Sequence, residues 1–305
     1  MMKIRTALSI LLSGWALGTT PAFAENPALE RAWAEYNFQS YDLAESYFQK
    51  VLDGEPTPEE ALEAKLGMGM TLQFTESGAD LDGAKALYEE ILDAGLGPER
   101  RALVQTFIAD IHIERGETEK ALAVLDELIR DHAQSVLGQD ALIRKLLLTM
   151  GPYGSEQSLA AAREAEEVLA GIEASKERPL LVPMIADLLG HIYYWAGQYE
   201  KAAGHYETYT VIGTPDTNSY GNHASQLYRL ATMYENELNN PEKAGQFYRR
   251  LLMETPNSSM SYFSLEKAVE LNAIRREEVE ALRLGGMPDE VLDELFSGKN
   301  EQETR

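Results

Sequence analysis

The sequence predicts an all-α fold, built as six successive helix pairs and closed by a short C-terminal helical cap. Three observations carry that prediction. First, an alanine, then an aromatic or aliphatic residue three or four positions later, then aliphatics at seven and eight, recurs six times. Second, an apolar segment of helical length precedes every copy. Third, the alternating β-branched runs that mark strands do not recur anywhere in the 305 residues.

The elements can be justified in chain order, beginning at the N-terminus. Lys3 and Arg5 precede the mostly apolar run 7–17. Thr19, Thr20 and Pro21 break the run, and Ala22-Phe23-Ala24 has the small-x-small form of a cleavage site. This is the pattern of a secretory signal peptide over residues 1–24, with a retained amphipathic anchor as the alternative. The expected consequence is export, to the periplasm of a Gram-negative bacterium or beyond it. The run is too short to cross a bilayer, and no later segment approaches the roughly 20 apolar residues a spanning helix needs. The chain has no cysteine, so it has no disulfide, thiolate metal site, cysteine nucleophile or cysteine-borne lipid. The mature chain is therefore expected to carry neither a transmembrane segment nor a lipid anchor.

The helix pairs follow from residue 25. Helices near Pro27–Phe38, Pro58–Phe74, Arg100–Arg115, Val136–Met150, Pro183–Ala196 and Ser225–Leu238 each precede one copy of the alanine pattern. In the first copy Ala44 leads to Tyr47, Phe48, Val51 and Leu52; in the second, Ala84 leads to Leu87, Tyr88, Ile91 and Leu92. Ala121 leads to Val124, Leu125, Leu128 and Ile129. A weaker fourth copy starts at Ala161 with Ala165, Val168 and Leu169. Ala202 leads to His205, Tyr206, Tyr209 and Thr210, and Ala244 to Phe247, Tyr248, Leu251 and Leu252. The six alanines are separated by 40, 37, 40, 41 and 42 residues. Within a copy the spacing puts the apolar side chains on one stripe of a helix, which needs a mate. The small alanine lets that mate approach, and the aromatic one turn later fills the space beside it.

Turn residues agree with this division. Gly116, Gly197 and Asn239-Asn240-Pro241 separate the helices of a pair, while Pro56, Pro58, Gly95–Pro98, Pro179, Pro183, Pro215 and Pro256 fall between pairs. Asp42, Asp82 and Ser258 are candidate helix caps. An amphipathic stretch, 258–273, and two shorter pieces broken at Gly285-Gly286-Met287-Pro288 read as a cap over 258–297. Residues 298–305 read as a disordered, charged tail.

The fifth pair contains Leu189-Gly190, Tyr193, Gly197, Tyr199, Ala202, Tyr206 and Pro215. This resembles the tetratricopeptide repeat signature. The third pair is similar, with Ile108-Ala109, Gly116, Ala121 and Leu125; the sixth keeps Tyr248 and Pro256 but carries one extra residue in its first helix. The first pair contributes Tyr41, Ala44, Phe48 and Pro56. The resemblance covers roughly 28–258, with a repeat domain over 25–257. Its mean period of 40 exceeds the family's usual value of about 34. The additions fall in turns, as at 74–82 and 151–156. The chain is also similar to exported bacterial envelope proteins built of such repeats.

The resemblance implies a right-handed α-solenoid whose concave groove is lined by the first helix of each pair. Carried to matching positions, the groove candidates of the third pair are Thr106, Asp110, Ile113 and Glu114. Those of the fifth are Met184, Asp187, His191, Tyr194 and Trp195, and those of the sixth are Tyr228, Thr232, Glu235 and Asn236. Aromatic anchors flanked by carboxylates suit a peptide bearing lysine or arginine. In a helix Ile192 and Tyr193 face the partner, so Tyr194 and Trp195 read either as groove or as packing against the next repeat.

Charge and motifs narrow the function further. The 27 basic and 50 acidic residues give a formal net charge of −23, which disfavours phosphate backbones and anionic headgroups. A basic protein, a cationic peptide or a divalent cation would be attracted, although such charge also serves to keep an elongated surface soluble. Metallopeptidase, serine-hydrolase, phosphate-loop and dinucleotide motifs are absent. Gly67-Met-Gly69 lies inside a helix and lacks a third glycine. Asp80-Leu-Asp82-Gly83 has the form of a calcium-loop fragment without the remaining ligands. His191 and His205 lie on opposite helices of one pair and could meet. The expectation is a non-catalytic scaffold or adapter in an envelope assembly, with no catalytic residue, metal or cofactor, binding a protein or peptide, possible basic character included. A small-molecule or glycan receptor built on the aromatic patch of the fifth pair is the alternative, and an end-to-end oligomer the third reading.

Overall fold

The computed structural model describes residues 26–74, 78–174, 180–212, 223–282 and 289–297. The expected signal peptide, Pro179, Pro215, the 285–288 break and the tail lie outside the described residues, as does part of the 74–82 turn. Among the described residues there are fifteen helices and no strand. They follow one another as a helix-pair repeat. The first three pairs are α1 (Pro27–Asn37) with α2 (Tyr41–Leu52), α3 (Pro58–Phe74) with α4 (Leu81–Asp93), and α5 (Pro98–Glu114) with α6 (Thr118–His132). The next three are α7 (Val136–Thr149) with α8 (Glu156–Leu169), α9 (Val182–Trp195) with α10 (Tyr199–Ile212), and α11 (His223–Asn236) with α12 (Pro241–Glu254). Then come α13 (Ser259–Glu270), α14 (Arg276–Leu282) and α15 (Asp289–Ser297). The chain forms two compact units, 1–124 and 125–305, divided within α6.

One turn recurs between paired helices. After α1 the N–H of Gln39 donates to the carbonyl of Tyr36 and that of Ser40 to Glu35, with Gln39 in the left-handed region at φ 61°. After α5 the same bonds run from Gly116 to Ile113 and Glu117 to His112, and after α9 from Gly197 to Tyr194 and Gln198 to Tyr193. This Schellman closure satisfies the last carbonyls of the first helix and reverses the chain. The sixth pair spends one extra residue there, with Asn240 donating to Tyr234, in keeping with its one-residue excess in sequence. After α13 the pattern returns: Asn272 donates to Val269 and Ala273 to Ala268, with Asn272 at φ 55°. The segment read as a cap therefore opens as a first helix does, and the short α14 stands where a second helix would.

In the first unit the small-and-large packing inferred from the alanine pattern is direct. Ala44, Ala84, Phe48 and Tyr88 have no exposed surface. Gly67 and Gly69 are slots for rings: a Cβ on Gly67 would stand 2.1 Å from Phe48 Cζ, and one on Gly69 2.6 Å from Tyr88 Cε1. Trp33 packs edge-on against Phe48 at 5.2 Å, and the Tyr88 hydroxyl donates to Gln73 Oε1 at 2.8 Å. Two expected caps are corrected. Asp42 and Asp82 sit in first turns rather than at caps, and the cap positions are held by Ser40 and Asp80. Asp80 accepts from the Gly83 N–H at 2.9 Å, and Asp82 pairs with Arg115 at 2.5 Å. The calcium-like fragment is thus a helix cap and an ion pair. Ser258 caps α13 as expected, accepting from the Met260 N–H.

The second unit follows the same rule in its fifth and sixth pairs, where Ala202, Ala244, Leu189 and Leu251 are fully buried. The fourth pair departs from it. Its buried stripe is Ser158, Ala162 and Ala165, and Ala161 lies off it. Serine replaces the small alanine and Ala162 takes the aromatic position, so the register read from Ala161 is wrong. The first helix compensates in kind. Seven residues before the left-handed turn residue stand Ala32, Ala109 and Gly190, but in α7 that residue is Arg144, before Gly151. Arg144 bonds Asp140 at 2.5 Å, and the two carboxylate and guanidinium groups are largely buried. Loss of solvent pushes the Asp140 carboxyl up to about 7 and brings Arg144 down to about 10.

Candidate functional site

The candidate surface is made by three first helices of the second unit, α9, α11 and α13. Their buried faces are fixed by Leu189 and Ile192, by Leu227 and Leu230, and by Leu265 and Ala268. The helical period then turns the intervening residues outward together. Ile192 and Tyr193 are buried as the sequence implies, while Trp195 is 65% exposed and Tyr194 half-buried. The Tyr194–Trp195 pair is therefore surface and not core.

Between α9 and α11 lies a half-open cleft of about 390 Å³, lined by His191, Tyr194, Trp195, Tyr206, Arg229, Thr232, Met233, Asn236 and Glu237. Its cation is already engaged: Arg229 bonds Asp187 at 3.0 Å and lies 4.9 Å over the Tyr206 ring. His191 packs edge-on against Tyr206, its Nδ1 2.9 Å from the Asp187 carbonyl and 3.6 Å from the Asp187 carboxylate. Tyr194 stacks edge-on with Trp195 and its hydroxyl donates to Glu237 at 3.3 Å. Burial, then the Glu237 charge, raises the Tyr194 hydroxyl above its ordinary range, so the rim presents a neutral phenol beside a carboxylate.

A second half-open cleft, of about 530 Å³, adjoins the first and shares Thr232 and Asn236 with it. It lies between α11 and α13 and is lined by the rings of Tyr228, Tyr248, Tyr262 and Phe263 with Glu235, Glu266 and Lys267. Tyr248 donates to Glu235 at 2.7 Å, and Lys267 bridges Glu235 and Glu270 at 3.0 Å each. Burial pushes the Glu235 carboxyl up, but the bonds from Tyr248 and Lys267 outweigh it and hold it below the usual carboxylate range.

The structure brings together eight of the thirteen groove candidates here: Asp187, His191, Tyr194, Trp195, Tyr228, Thr232, Glu235 and Asn236. Asp110 and Glu114 are half-buried on α5, in the first unit. Thr106 is corrected: it is wholly buried, its hydroxyl donating to the Ala102 carbonyl at 3.0 Å. His191 and His205 do not share a site. His205 instead stacks on Tyr193 at 5.5 Å and bonds Glu166 at 2.8 Å. That junction joins α8 to the fifth pair, and its counterpart joins α10 to the sixth, where Tyr234 lies between Lys243 and Phe247 and donates to Glu207.

Sequence reasoning missed Arg229, Tyr262, Phe263, Glu266 and Lys267. The last four were lost by treating α13 as a cap. Two signals pointed to them: Tyr262 follows Tyr228 by 34 residues, and Asn272 follows Asn239 by 33.

The tetratricopeptide repeat model matches residues 108–135 and 227–258. Among solved structures, the chain is similar to a tetratricopeptide repeat protein from Parabacteroides merdae, at 17% identity and a TM-score of 0.43, covering 88% of this chain and 96% of that one. It is also similar to the Cut9–Hcn1 hetero-tetramer of APC/C, at 15% identity and a TM-score of 0.41, covering 86% of this chain. This chain spans 46% of the Cut9–Hcn1 chain it matches. The tetratricopeptide repeat domain of P58(IPK) is a further match, at 18% identity and a TM-score of 0.21, covering 90% of this chain and 77% of that one.

Proposed function

We propose that this chain, which matches the tetratricopeptide repeat model over 108–135 and 227–258, works by holding a protein or peptide partner on the α9–α11–α13 face, without catalysis or cofactor. One observation carries the reading: two adjoining aromatic clefts share a rim, with Trp195, Tyr262 and Phe263 at 65%, 54% and 64% exposure. Large rings left in water at one face are the anchors that interfaces use, and rigid helices hold them in place before binding. Both clefts are half-open, which suits an extended or helical segment lying across them better than an enclosed small molecule. With the leader pattern over residues 1–24, we place this scaffold in the periplasm of a Gram-negative cell envelope.

Photo-cross-linking in living cells tests the reading. A cross-linking residue in place of Trp195 or Tyr262 is expected to capture the same protein, and one in place of the exposed Glu119 is not. Trp195→Ala is expected to weaken capture about tenfold or more with an unchanged helical circular-dichroism spectrum. Capture that is equal from all three positions would overturn the proposed face. Thermal stabilisation of the purified protein by an oligosaccharide or small molecule, lost in Trp195→Ala, would support the receptor alternative instead. Osmotic-shock fractionation checks the compartment; retention of the full-length chain with the cytoplasm would remove the periplasmic assignment.

A further inference from the structure

We propose that the cleft between α11 and α13 receives a cationic side chain of the partner, an arginine or lysine seated against Tyr228, Tyr262 and Phe263. The inference deepens the scaffold reading and rests on it. Tyr228, Tyr262 and Phe263 line one cleft of about 530 Å³, with the buried Tyr248 edge-on behind Tyr228, and a cation is attracted by the negative face of an aromatic ring. The cleft already stabilises one ammonium, since Lys267 sits 3.0 Å from both Glu235 and Glu270. Glu266 adds a further exposed carboxylate at the lining, and among the described residues it makes no ion pair or hydrogen bond of its own. Two carboxylates thus hold the Lys267 ammonium, and a third, Glu266, lines the same cleft. A neutral or acidic group entering the cleft would gain ring contact alone or meet repulsion, whereas a cation gains from both rings and charge. Among the described residues nothing covers Tyr262 and Phe263. A partner side chain with an apolar stem and a charged head matches both components.

The test uses the full chain and a rhodamine-labelled Gly/Ser peptide carrying three arginines, with twins bearing citrulline or glutamate at those positions. Binding is read by fluorescence anisotropy. Citrulline keeps the shape of arginine and removes its charge. The arginine peptide is expected to bind at least about tenfold more tightly than the citrulline twin, with the glutamate twin not binding. Tyr262→Ala with Phe263→Ala is expected to cost about fivefold or more, and Tyr262→Phe little, because the ring and not the hydroxyl is used. Glu266→Gln is expected to weaken binding severalfold, while Glu119→Gln, an exposed carboxylate of α6, leaves it unchanged. Equal losses from Glu266→Gln and Glu119→Gln would overturn the proposal, leaving only general attraction to an acidic chain. Citrulline and arginine peptides that bind equally, and both lose affinity in the Tyr262/Phe263 variant, would also overturn it while sparing the scaffold reading. If the paired ring variant loses its helical signal, Tyr262→Gln alone, judged on folded protein, decides the point: unchanged arginine binding overturns the cage, and selective loss supports it.

Discussion

A Cβ built on Gly190 stands 2.5 Å from Tyr206 Cε1, whereas one on Gly204, in the next helix, meets nothing within 4 Å. In an open helix, alanine is favoured over glycine by about 1 kcal/mol. At Gly190 the ring is buried against its neighbours and has no room to retreat, so overpacking outweighs propensity. Gly190→Ala is expected to lower stability by about 1–3 kcal/mol and Gly204→Ala to raise it by up to about 1 kcal/mol. Urea midpoints at unchanged slope check both, and a stabilised Gly190→Ala would show that Tyr206 yields. The same size logic explains what was legible at this scale. Wherever a small residue shares a buried helix stripe with a ring, as at Ala44, Ala84, Ala202 and Ala244, the sequence could be read to the residue. It failed at Ala161 because the fourth pair inverts the sizes, with Ser158 and Ala162 on one helix and Arg144 on the other. No aromatic marks the register there, and an alanine-rich run offers several equivalent stripes.

Helix ends carry the next level of specification. Gly197 occupies φ 71° in the turn that Gln39 makes at φ 61°. A side chain in the left-handed region costs roughly 1–2 kcal/mol, against roughly 0.5–1 kcal/mol of chain entropy that glycine loses on folding. Gly197→Ala should therefore destabilise by about 1 kcal/mol, and Gln39→Gly should stabilise by a somewhat smaller amount. Opposite shifts in thermal midpoint would bear this out; shifts of one sign would not. The turns of the third, fifth and sixth pairs were legible because Gly116, Gly197 and Asn239 announce them. The first-helix character of α13 was missed although Asn272 marks the same turn, because its mate has only seven residues. That mate is tied down by charge: Glu278 accepts from Arg249 at 2.6 Å and from the Arg275 N–H at 3.0 Å, which holds its carboxyl at about 2. The folded value lies below the ordinary 4.5. Its contribution is thus complete above about pH 4.5 and lost as pH falls through about 2. Arg249→Ala is expected to flatten that acid dependence, measured as hydrogen exchange of 276–282 against pH.

Across the whole molecule two sets of carboxylates pull stability in opposite directions along the pH axis. Glu278 and Glu117, the latter bonded first by His112 and then by Lys120, have lowered values and stabilise the fold only while ionised. Asp140 is the reverse. Burial raises it from 3.8 to about 7, so its contribution is full below about pH 3.8 and is lost as pH rises through about 7. The net charge of −23 adds to the second set, because self-repulsion fades as the pH approaches the isoelectric point near 4.6. Thermal stability should therefore peak on the acid side of neutrality, between about pH 4.5 and 7, and fall on both flanks. Asp140→Asn removes one titrating group and should shallow the alkaline flank relative to the unsubstituted protein. Sodium chloride should raise the midpoint more at pH 8 than at pH 5, since screening matters most where repulsion is largest. A midpoint that climbs steadily to pH 8, or one that sodium chloride raises equally at pH 5 and pH 8, would mean that repulsion and the buried Asp140 do not govern the alkaline side.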